Sequence, residues 1–513
     1  MRFPDQKSPQ DGGTRSAVSD RVVLASGAVQ NLLGILIAGV ALFAIQILTS
    51  RTLGPAGFGI VTVLSQVAFV ASFATRAGMD MAVVREVAID IGSEREGMAR
   101  ATVARAAWIA AIVSIVGTAV ALLLRDPIEQ LASVPASAAS WTVSAAALGI
   151  PFIALTSVWL GATRALKIMR YTLYIFWTGQ NLAWILLSLL LWQLSATPRS
   201  SITAYSLSWF LAAIAAAWSW RREARIWPVE QLDSGWLGHL VRFAAPRAPA
   251  SLLAQLLFWT DLFIVTRYVD GEQVGIYSAA LRSGQILLLF LMSVNLIFAP
   301  FVADLHARGQ RDRLDELFKT LTRWIVAGTL PLLLLIVIAP DEVLALFGSG
   351  FEGGRAALLI VLFGQFLNSA TGSGGLVLIM VGRTGYDLAV YAGSFAVNVA
   401  LALWLSPTLG ITGAAIANAA TFALSNAARL VLVKRMAGIQ PYDARYGRLL
   451  LPAAAGAGVM WLIHGSFDGP PILELALTAA LGFAAYGGAL VAVGLTSAER
   501  RGLTRTLGRL RPR

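Results

Sequence analysis

Among the charged residues inside long apolar stretches, Asp261 is the clearest and Arg282 is the next; ionisable groups in such stretches are costly and usually face a cavity or a partner. Asp261 stands in Phe-Trp-Thr-Asp-Leu and Arg282 in Leu-Arg-Ser-Gly-Gln. The turn between them has its apex near Gly271, 10 residues after Asp261 and 11 before Arg282. At about 1.5 Å per residue both lie ~15 Å from the apex, so they could meet on an antiparallel helix pair. One interpretation makes Arg282 a phosphate-binding cation and Asp261 a coupling-ion or proton site; the other is a buried ion pair that joins two helices.

Further polar groups accompany this pair. Arg247 follows Pro246 at the start of an apolar stretch. It either points into a cavity that opens on its side of the membrane or extends to the interface, as long cationic side chains do. Asn and Gln side chains also recur in the apolar stretches, where amides usually bond neighbouring helices. Together they favour a polar interior.

Other chemistry is missing from the sequence. There is no cysteine, and the three histidines, His239, His306 and His464, are far apart. We therefore expect no metal site and no cofactor. The sequence has no glycine-rich phosphate loop ending in Gly-Lys-Ser/Thr, and we predict no catalytic residue and no enzyme activity.

The amino-acid composition indicates that Asp261, Arg282 and the other polar groups lie in a membrane protein. Of the 513 residues, 57% are hydrophobic and only 13% are charged, whereas soluble domains carry about 25% charged residues. This excludes cytosolic, secreted and fibrous classes. A helix crosses the hydrocarbon in about 20 apolar residues. Fourteen such stretches are present, at 29–50, 59–83, 103–124, 138–161, 171–194, 201–220, 243–266, 276–301, 323–341, 356–381, 385–407, 411–433, 449–465 and 471–495.

Lysine and arginine orient these spans, because cytoplasmic connections carry an excess of both. With fourteen spans, 34 of the 40 basic residues fall on the side of the two termini, five fall on the other side, and Arg282 lies within a span. The termini are therefore predicted to be cytoplasmic. The net charge of +12 is then mostly a topology signal, and no nucleic-acid partner is expected.

An internal repeat relates the two halves of the chain. The turn at 50–60 resembles the turn at 266–276, because Arg51 matches Arg267 and Gly59 matches Gly275 at an offset of 216. Gly54 belongs to the first of these turns. The offset equals six spans, so spans 1–6 and 7–12 are predicted to be parallel copies of one unit, an arrangement found in transporters. The alternative is chance matching of short glycine-rich turns.

The predicted fold is therefore all-α and integral to the membrane, with two six-helix lobes in parallel repeat and two additional C-terminal helices. Its segments are a cytoplasmic tail at 1–28, the first lobe at 29–220, a cytoplasmic linker at 221–242, the second lobe at 243–434, helices 13 and 14 at 435–495 and a basic tail at 496–513.

Short segments in a fixed order resemble the polysaccharide exporter and oligosaccharide flippase family, within the superfamily that also holds multidrug and toxin extruders. The resemblance runs over about residues 25–435. Its pieces are RTLGPAGFGI at 51–60, GMDMAVVR at 78–85, GATRALK at 161–167, WTD at 259–261, VGIYSAA at 274–280, APFVAD at 299–304 and LGITGAA at 409–415.

The resemblance implies a function and a location. Members of this family move undecaprenyl-diphosphate-linked oligosaccharides across the bacterial inner membrane for polysaccharide biosynthesis, by rocking two lobes around a cationic cavity. For this chain it implies a lipid-linked oligosaccharide substrate, contact with membrane lipids, and other polysaccharide assembly proteins as partners. Arg282 and Arg247 become candidates for the diphosphate site, and Asp261 for the coupling ion.

Two other functions stay open at this point. A multidrug-extruder-type antiporter shares the superfamily but usually has twelve spans. A membrane glycan polymerase or ligase would need reactive groups on the outer face, where the sequence offers only scattered acids such as Asp126, Asp270, Asp341 and Glu342. A peptidoglycan-precursor flippase is a close relative of the first interpretation.

Overall fold

The computed structural model describes residues 13–135, 139–228, 230, 235–245, 247–382, 384–466 and 469–495. Within these ranges every regular element is a helix, because lipid leaves backbone groups no partner outside the segment itself. The first half contains α1 (Gly13–Thr75), α2 (Met79–Gly92), α3 (Glu96–Leu123), α4 (Arg125–Leu131), α5 (Ala139–Ala165), a π-helical segment (Thr172–Gly179) that leads into α6 (Gln180–Trp192), α7 (Pro198–Glu223) and α8 (Trp236–Ala244).

The described elements of the second half are also helices. This half contains α9 (Arg247–Val265), α10 (Gly271–Gln285), α11 (Leu288–Ala307), α12 (Arg311–Ile338), α13 (Pro340–Ala345), α14 (Arg355–Ala370), α15 (Gly374–Met380), α16 (Thr384–Met436), α17 (Leu450–His464) and α18 (Pro471–Ala489). Short 3-10 segments at Glu352–Gly354 and Ala444–Leu449 precede α14 and α17, and a π-helical turn at Leu490–Gly494 follows α18.

Within the described residues, eleven helical segments are long and apolar enough to cross a membrane, and a twelfth is formed if α10 and the start of α11, bent by 45°, count as one span. The prediction of an all-helical membrane protein is confirmed. Two of the eleven segments, Ile37–Thr75 and Gly385–Met436, are 39 and 52 residues long, which is far more than the ~20 residues that one crossing needs.

The chain turns back inside α1. Gly54 has φ 69° and ψ −179°, which is a backbone conformation that residues with a Cβ rarely adopt. Phe43 and Phe58 would be ~22 Å apart on a straight helix. Both rings nevertheless contact Phe347, at centroid distances of 5.5 and 5.8 Å. The residues on either side of Gly54 therefore form a helical hairpin.

The same device occurs in α16. Gly410 has φ 56° and ψ −132°. Asn398 Nδ2 donates to Thr421 Oγ1 over 3.3 Å, although a straight helix would place these residues ~34 Å apart. The segments before and after Gly410 therefore also form an antiparallel helical hairpin, with Gly410 at its turn.

Several of these turns lie at one end of the protein. Arg51 contacts the end of α13, and Pro55 contacts Gly275 near the start of α10. A Cβ added at Gly410 would lie 3.4 Å from Val269 Cγ1, just after α9. We call this end, which carries Arg51, Gly54, Gly271, α13 and Gly410, the Arg51 face. Phe58, Phe347 and Phe351 form a buried aromatic cluster beneath it.

The last two helices form a pair attached to the second half. A Cβ added at Gly456 of α17 would lie 2.9 Å from Tyr486 Cβ, and one at Gly482 of α18 would lie 2.2 Å from Met460 Cγ. These small residues let α17 and α18 approach closely. The Tyr486 hydroxyl donates to the Ala327 carbonyl of α12 over 2.6 Å, which joins the pair to the rest of the protein.

The two predicted tails are described only in part or not at all. Helix α1 begins at Gly13, inside the segment predicted as a tail at 1–28. The predicted basic tail at 496–513 lies outside the described residues.

Candidate functional site

Asp261 is fully buried in α9 and is bonded from two other helices. The Tyr277 hydroxyl of α10 donates to Asp261 Oδ2. Asn418 Nδ2 of α16 donates to Asp261 Oδ1 over 3.2 Å. The other amide atom, Asn418 Oδ1, is buried and has no hydrogen-bond partner among the described residues. The side chains of Asp261, Tyr277 and Asn418, each of which carries oxygen, thus meet in the second half of the chain, and Asn418 Oδ1 is an unused acceptor.

Such an arrangement has a definite chemical capacity. Oxygen atoms from carboxylate, amide and hydroxyl groups are the ligands that hard cations prefer. The unsatisfied Asn418 Oδ1 costs free energy in this buried position. Because Nδ2 of the same amide donates to Asp261, the oxygen becomes a ligand beside Asp261 only after the amide rotates by about 180°. Asn398 Oδ1, on the segment paired with that of Asn418, is also buried and lacks a hydrogen-bond partner in the part of the chain that the structure describes. Tyr277 and Asn418 are the polar neighbours of Asp261 in the described structure, and the ion site at Asp261 stays a prediction.

Arg282 lies elsewhere. Its guanidinium carbon is 4.7 Å from the centroid of the Trp259 ring, and its Nε is buried without a hydrogen-bond partner in the described structure. Tyr205 of α7 lies within electrostatic range of the Arg282 guanidinium. The Tyr205 hydroxyl in turn donates to the Ser65 carbonyl over 3.2 Å. Arg282 is therefore placed where the second half of the chain meets the first.

The suggested meeting of Asp261 with Arg282 does not occur. The carboxylate oxygens of Asp261 are bonded to Tyr277 and Asn418, and Arg282 stacks on Trp259. Successive residues of a helix are rotated by about 100°. Tyr277 and Arg282 thus point ~140° apart on α10, and Trp259 and Asp261 point ~200° apart on α9. Equal depth was insufficient because the two charges face different sides of the helix pair.

The two repeat glycines meet each other. A Cβ added at Gly59 would lie 2.9 Å from Gly275 N, and one added at Gly275 would lie 1.9 Å from the Pro55 carbonyl oxygen. Here α1 and α10 cross at backbone contact, which only residues without side chains permit. The glycine match found in the sequence therefore marks a crossing between the two halves.

The two repeat arginines are not equivalent in their contacts. Arg51 Nε donates to the Leu346 carbonyl over 2.7 Å and Nη2 donates to the Ala345 carbonyl over 3.1 Å. These carbonyls end α13, so Arg51 of the first half caps a helix of the second half. Arg267 is exposed at the end of α9. Helix α9 begins at Arg247, whose side chain lies outside the described residues.

Sequence reasoning missed a second buried charge cluster. Arg429 Nε donates to Asp387 Oδ1 over 3.2 Å, and its guanidinium carbon lies 4.5 Å from the Tyr391 ring centroid. Arg429 Nη2 is buried and has no hydrogen-bond partner within the described ranges. Asp387 lies inside the predicted span 385–407, so the rule that selected Asp261 also selects Asp387. A third cluster joins Arg76 to Asp80 over 3.5 Å at the end of α1.

Comparison with known proteins places these features among membrane proteins. The sequence profile described as "Polysaccharide biosynthesis protein" matches residues 24–306, and the MatE profile matches residues 246–404. The chain is 26% identical to a probable flippase, AglR, of Haloferax volcanii over 52% of this chain and 54% of that protein. It is 23% identical to the probable low-salt glycan biosynthesis flippase Agl15 of the same organism, over 40% of this chain and 43% of that protein. The chain thus spans about half the length of the curated relatives it matches.

Solved structures share the fold at low sequence identity. The lipid II flippase MurJ, in an inward closed conformation, superposes with a TM-score of 0.68 at 12% identity, over 91% of this chain and 98% of that one. An inward-facing multidrug resistance MATE family transporter superposes with a TM-score of 0.63 at 13% identity, over 80% of this chain and 94% of that one. These similarities establish a common fold.

Proposed function

Because the chain belongs to the polysaccharide biosynthesis protein family, we propose that it is a flippase that moves undecaprenyl-diphosphate-linked oligosaccharides across the bacterial inner membrane by alternating access. The observation that carries this proposal is Arg282. Its guanidinium lies between the two halves of the chain, stacked on Trp259 and with a free Nε–H. A guanidinium without a carboxylate partner suits a phosphate oxygen.

The proposed architecture has fourteen spans. Counting the bent pair as one span gives twelve, and the hairpins at Gly54 and Gly410 divide two of these into two crossings each. The contact between Gly59 and Gly275 supports two repeated units, because equivalent positions of two copies touch where the symmetry axis passes between them. In this proposal both termini are cytoplasmic and the Arg51 face is extracytoplasmic, as the distribution of lysine and arginine favours.

The proposed substrate path runs between the two units. Arg282 binds the diphosphate, and Arg247 at the start of α9 receives it from the cytoplasmic side. The Arg51 face is closed by contacts between the units, with Arg51 on α13 and Gly275 on Pro55. In this proposal the substrate enters at the opposite, cytoplasmic end of the path. The α17–α18 pair would border the path of the polyprenyl chain.

Asp261 is the proposed coupling-ion site, with Tyr277 and Asn418 as further oxygen ligands. Replacing Asp261 with Asn preserves shape and removes the charge. We expect D261N to abolish the dependence of transport on a monovalent cation or proton gradient in proteoliposomes, because a neutral site loses its attraction for the ion. Transport would be measured as the rate of substrate appearance in the lumen with and without each gradient.

The matched control for D261N is D270N. Asp270 Oδ1 accepts from Gln273 N over 2.8 Å and caps α10, a role that Asn fills equally well. D270N should keep the gradient dependence of the wild type. A D261N protein that responds to the gradients as strongly as D270N would remove Asp261 from the coupling mechanism.

The proposed function itself is tested by the sidedness of the lipid-linked precursor in cells depleted of this protein. A membrane-impermeant glycan-cleaving enzyme is added to spheroplasts. We expect the precursor to accumulate and to be protected from cleavage, because translocation has stopped. Precursor that accumulates but is cut would already have crossed, which would favour the polymerase or ligase interpretation. Normal precursor levels combined with loss of drug efflux would favour the antiporter, the class whose profile matches residues 246–404.

A further inference from the structure

Three side chains that are able to bind a metal ion converge at the Arg51 face, away from Asp261 and Arg282. They are Glu342 of α13, His464 at the end of α17 and Glu474 of α18. His464 Nδ1 lies 2.7 Å from Glu474 Oε1 and 3.9 Å from Glu342 Oε1. One ligand atom from each of the three residues lies within 4.8 Å of the others. Each residue comes from a different helix, so the cluster is a product of the tertiary structure.

No lysine or arginine of the described residues pairs with Glu342 or Glu474. Two carboxylates share the cluster with a single imidazole, and Glu474 is 9% exposed. Glu342 Oε2 is buried, and no described residue forms a hydrogen bond with it. Carboxylates at this separation repel each other, and each buried unpaired oxygen costs free energy. A divalent cation between the three groups would neutralise both carboxylates and remove the cost.

The donor set selects the class of ion. An imidazole nitrogen with two carboxylate oxygens suits zinc, whereas magnesium and calcium prefer oxygen ligands alone. Zinc takes nitrogen at about 2.0–2.1 Å and carboxylate oxygen at about 2.0–2.2 Å in tetrahedral geometry. Ligand atoms around such an ion are ~3.4 Å apart, a value within the 2.7–4.8 Å range present here. Only small side-chain rotations are needed.

We propose that Glu342, His464 and Glu474 bind one zinc-class divalent ion, with a fourth position left for water. The ion ties the α17–α18 pair to α13. Helix α13 also receives Arg51 of the first half at its last carbonyls, so the ion would fix the element against which the two halves close at the Arg51 face. The site is independent of the proposed transport function, because binding is measured without transport.

The test is direct zinc binding to the purified full-length chain, carrying a tag that contains neither histidine nor cysteine. We expect one Zn²⁺ per chain by titration calorimetry and by metal analysis after dialysis. E474Q and H464Q should each weaken binding by at least about 10-fold, since loss of a ligand exceeds the roughly 10- to 100-fold cost of losing an outer-shell partner. Zinc should also raise the melting temperature of the wild type but not that of E474Q.

Two control variants each remove the same type of side chain, a histidine or a carboxylate, from a position outside the cluster. H306Q removes an exposed histidine of α11. D341N removes the carboxylate of the residue that precedes Glu342. Asp341 pairs with Arg355 over 2.7 Å. Both should bind zinc as the wild type does. E474Q is nearly isosteric, and its melting temperature without zinc tells whether it folds. Substoichiometric binding by the wild type, or equal losses in H306Q or D341N, would overturn the site.

Discussion

Replacing Arg282 with Ala is expected to stop most translocation of the lipid-linked saccharide while the protein remains in the membrane. Arg282 has no carboxylate partner among the described residues, and its Nε is free, so its removal leaves no buried carboxylate unpaired and the fold should persist. A hydrogen bond to a charged group contributes about 1.5–3 kcal/mol. Loss of the diphosphate contact should therefore reduce transport by roughly 10- to 100-fold or more. The measurement is precursor protection in spheroplasts together with the amount of variant in the membrane fraction.

Two further variants sharpen this result. R282K keeps a positive charge but loses the planar fork that binds two oxygens at once, and should retain partial activity. R267A removes an exposed arginine from the end of the neighbouring helix and should be as active as the wild type. An R282A protein with full activity, present at normal levels in the membrane, would remove Arg282 from the mechanism.

Gly275→Ala is expected to destabilise the contact between the two halves of the chain. Its Cβ would lie 1.9 Å from the Pro55 carbonyl oxygen, which belongs to backbone and cannot rotate away. Overpacking of this kind costs about 1–3 kcal/mol or more. It must also outweigh the ~1 kcal/mol that Ala gains over Gly within a helix. The expected result is a lower melting temperature in detergent and faster labelling of a cysteine introduced at Ser278, a fully buried residue one turn along α10.

The control for this variant lies in the same helix. Gly271→Ala adds the same methyl group, but its Cβ would have its nearest neighbour at 3.5 Å, the Cβ of Ser133. G271A should therefore melt as the wild type does. Because the chain contains no cysteine, the label at position 278 reports a single site. Equal melting temperatures and labelling rates for G275A and G271A would contradict a backbone-contact crossing at Gly275.

The family and the broad fold were readable from the residues. The ordered segments between 25 and 435 predicted a family that the profile match at 24–306 confirms. The repeat match of Gly59 with Gly275 selected two positions that meet at one crossing. The hairpin of α1 was also predictable, because a span ending at 50 and another beginning at 59 leave only a short turn around Gly54. These features are local in sequence or depend on composition summed over about 20 residues.

Partners of individual side chains were much harder to predict. The depth argument brought Asp261 to the level of Arg282, yet Asp261 bonds to Tyr277 and to Asn418, 157 residues away. The expectation of no metal site considered only histidines near other histidines. The proposed zinc site instead combines His464 with two glutamates, one of them 122 residues earlier in the chain. Neither set of neighbours leaves a mark in local spacing.

The sequence by itself therefore determined that the protein spans a membrane, which family it belongs to, and that Asp261 and Arg282 are buried among apolar residues. Hydropathy and motif order are properties of the chain, and the cost of placing a charge in lipid is fixed by the residues around it. The tertiary structure alone decided that Arg282 stacks on Trp259 and that Glu342, His464 and Glu474 converge. Those outcomes depend on how each helix is rotated about its axis, and that rotation is set by packing between helices that are distant in sequence.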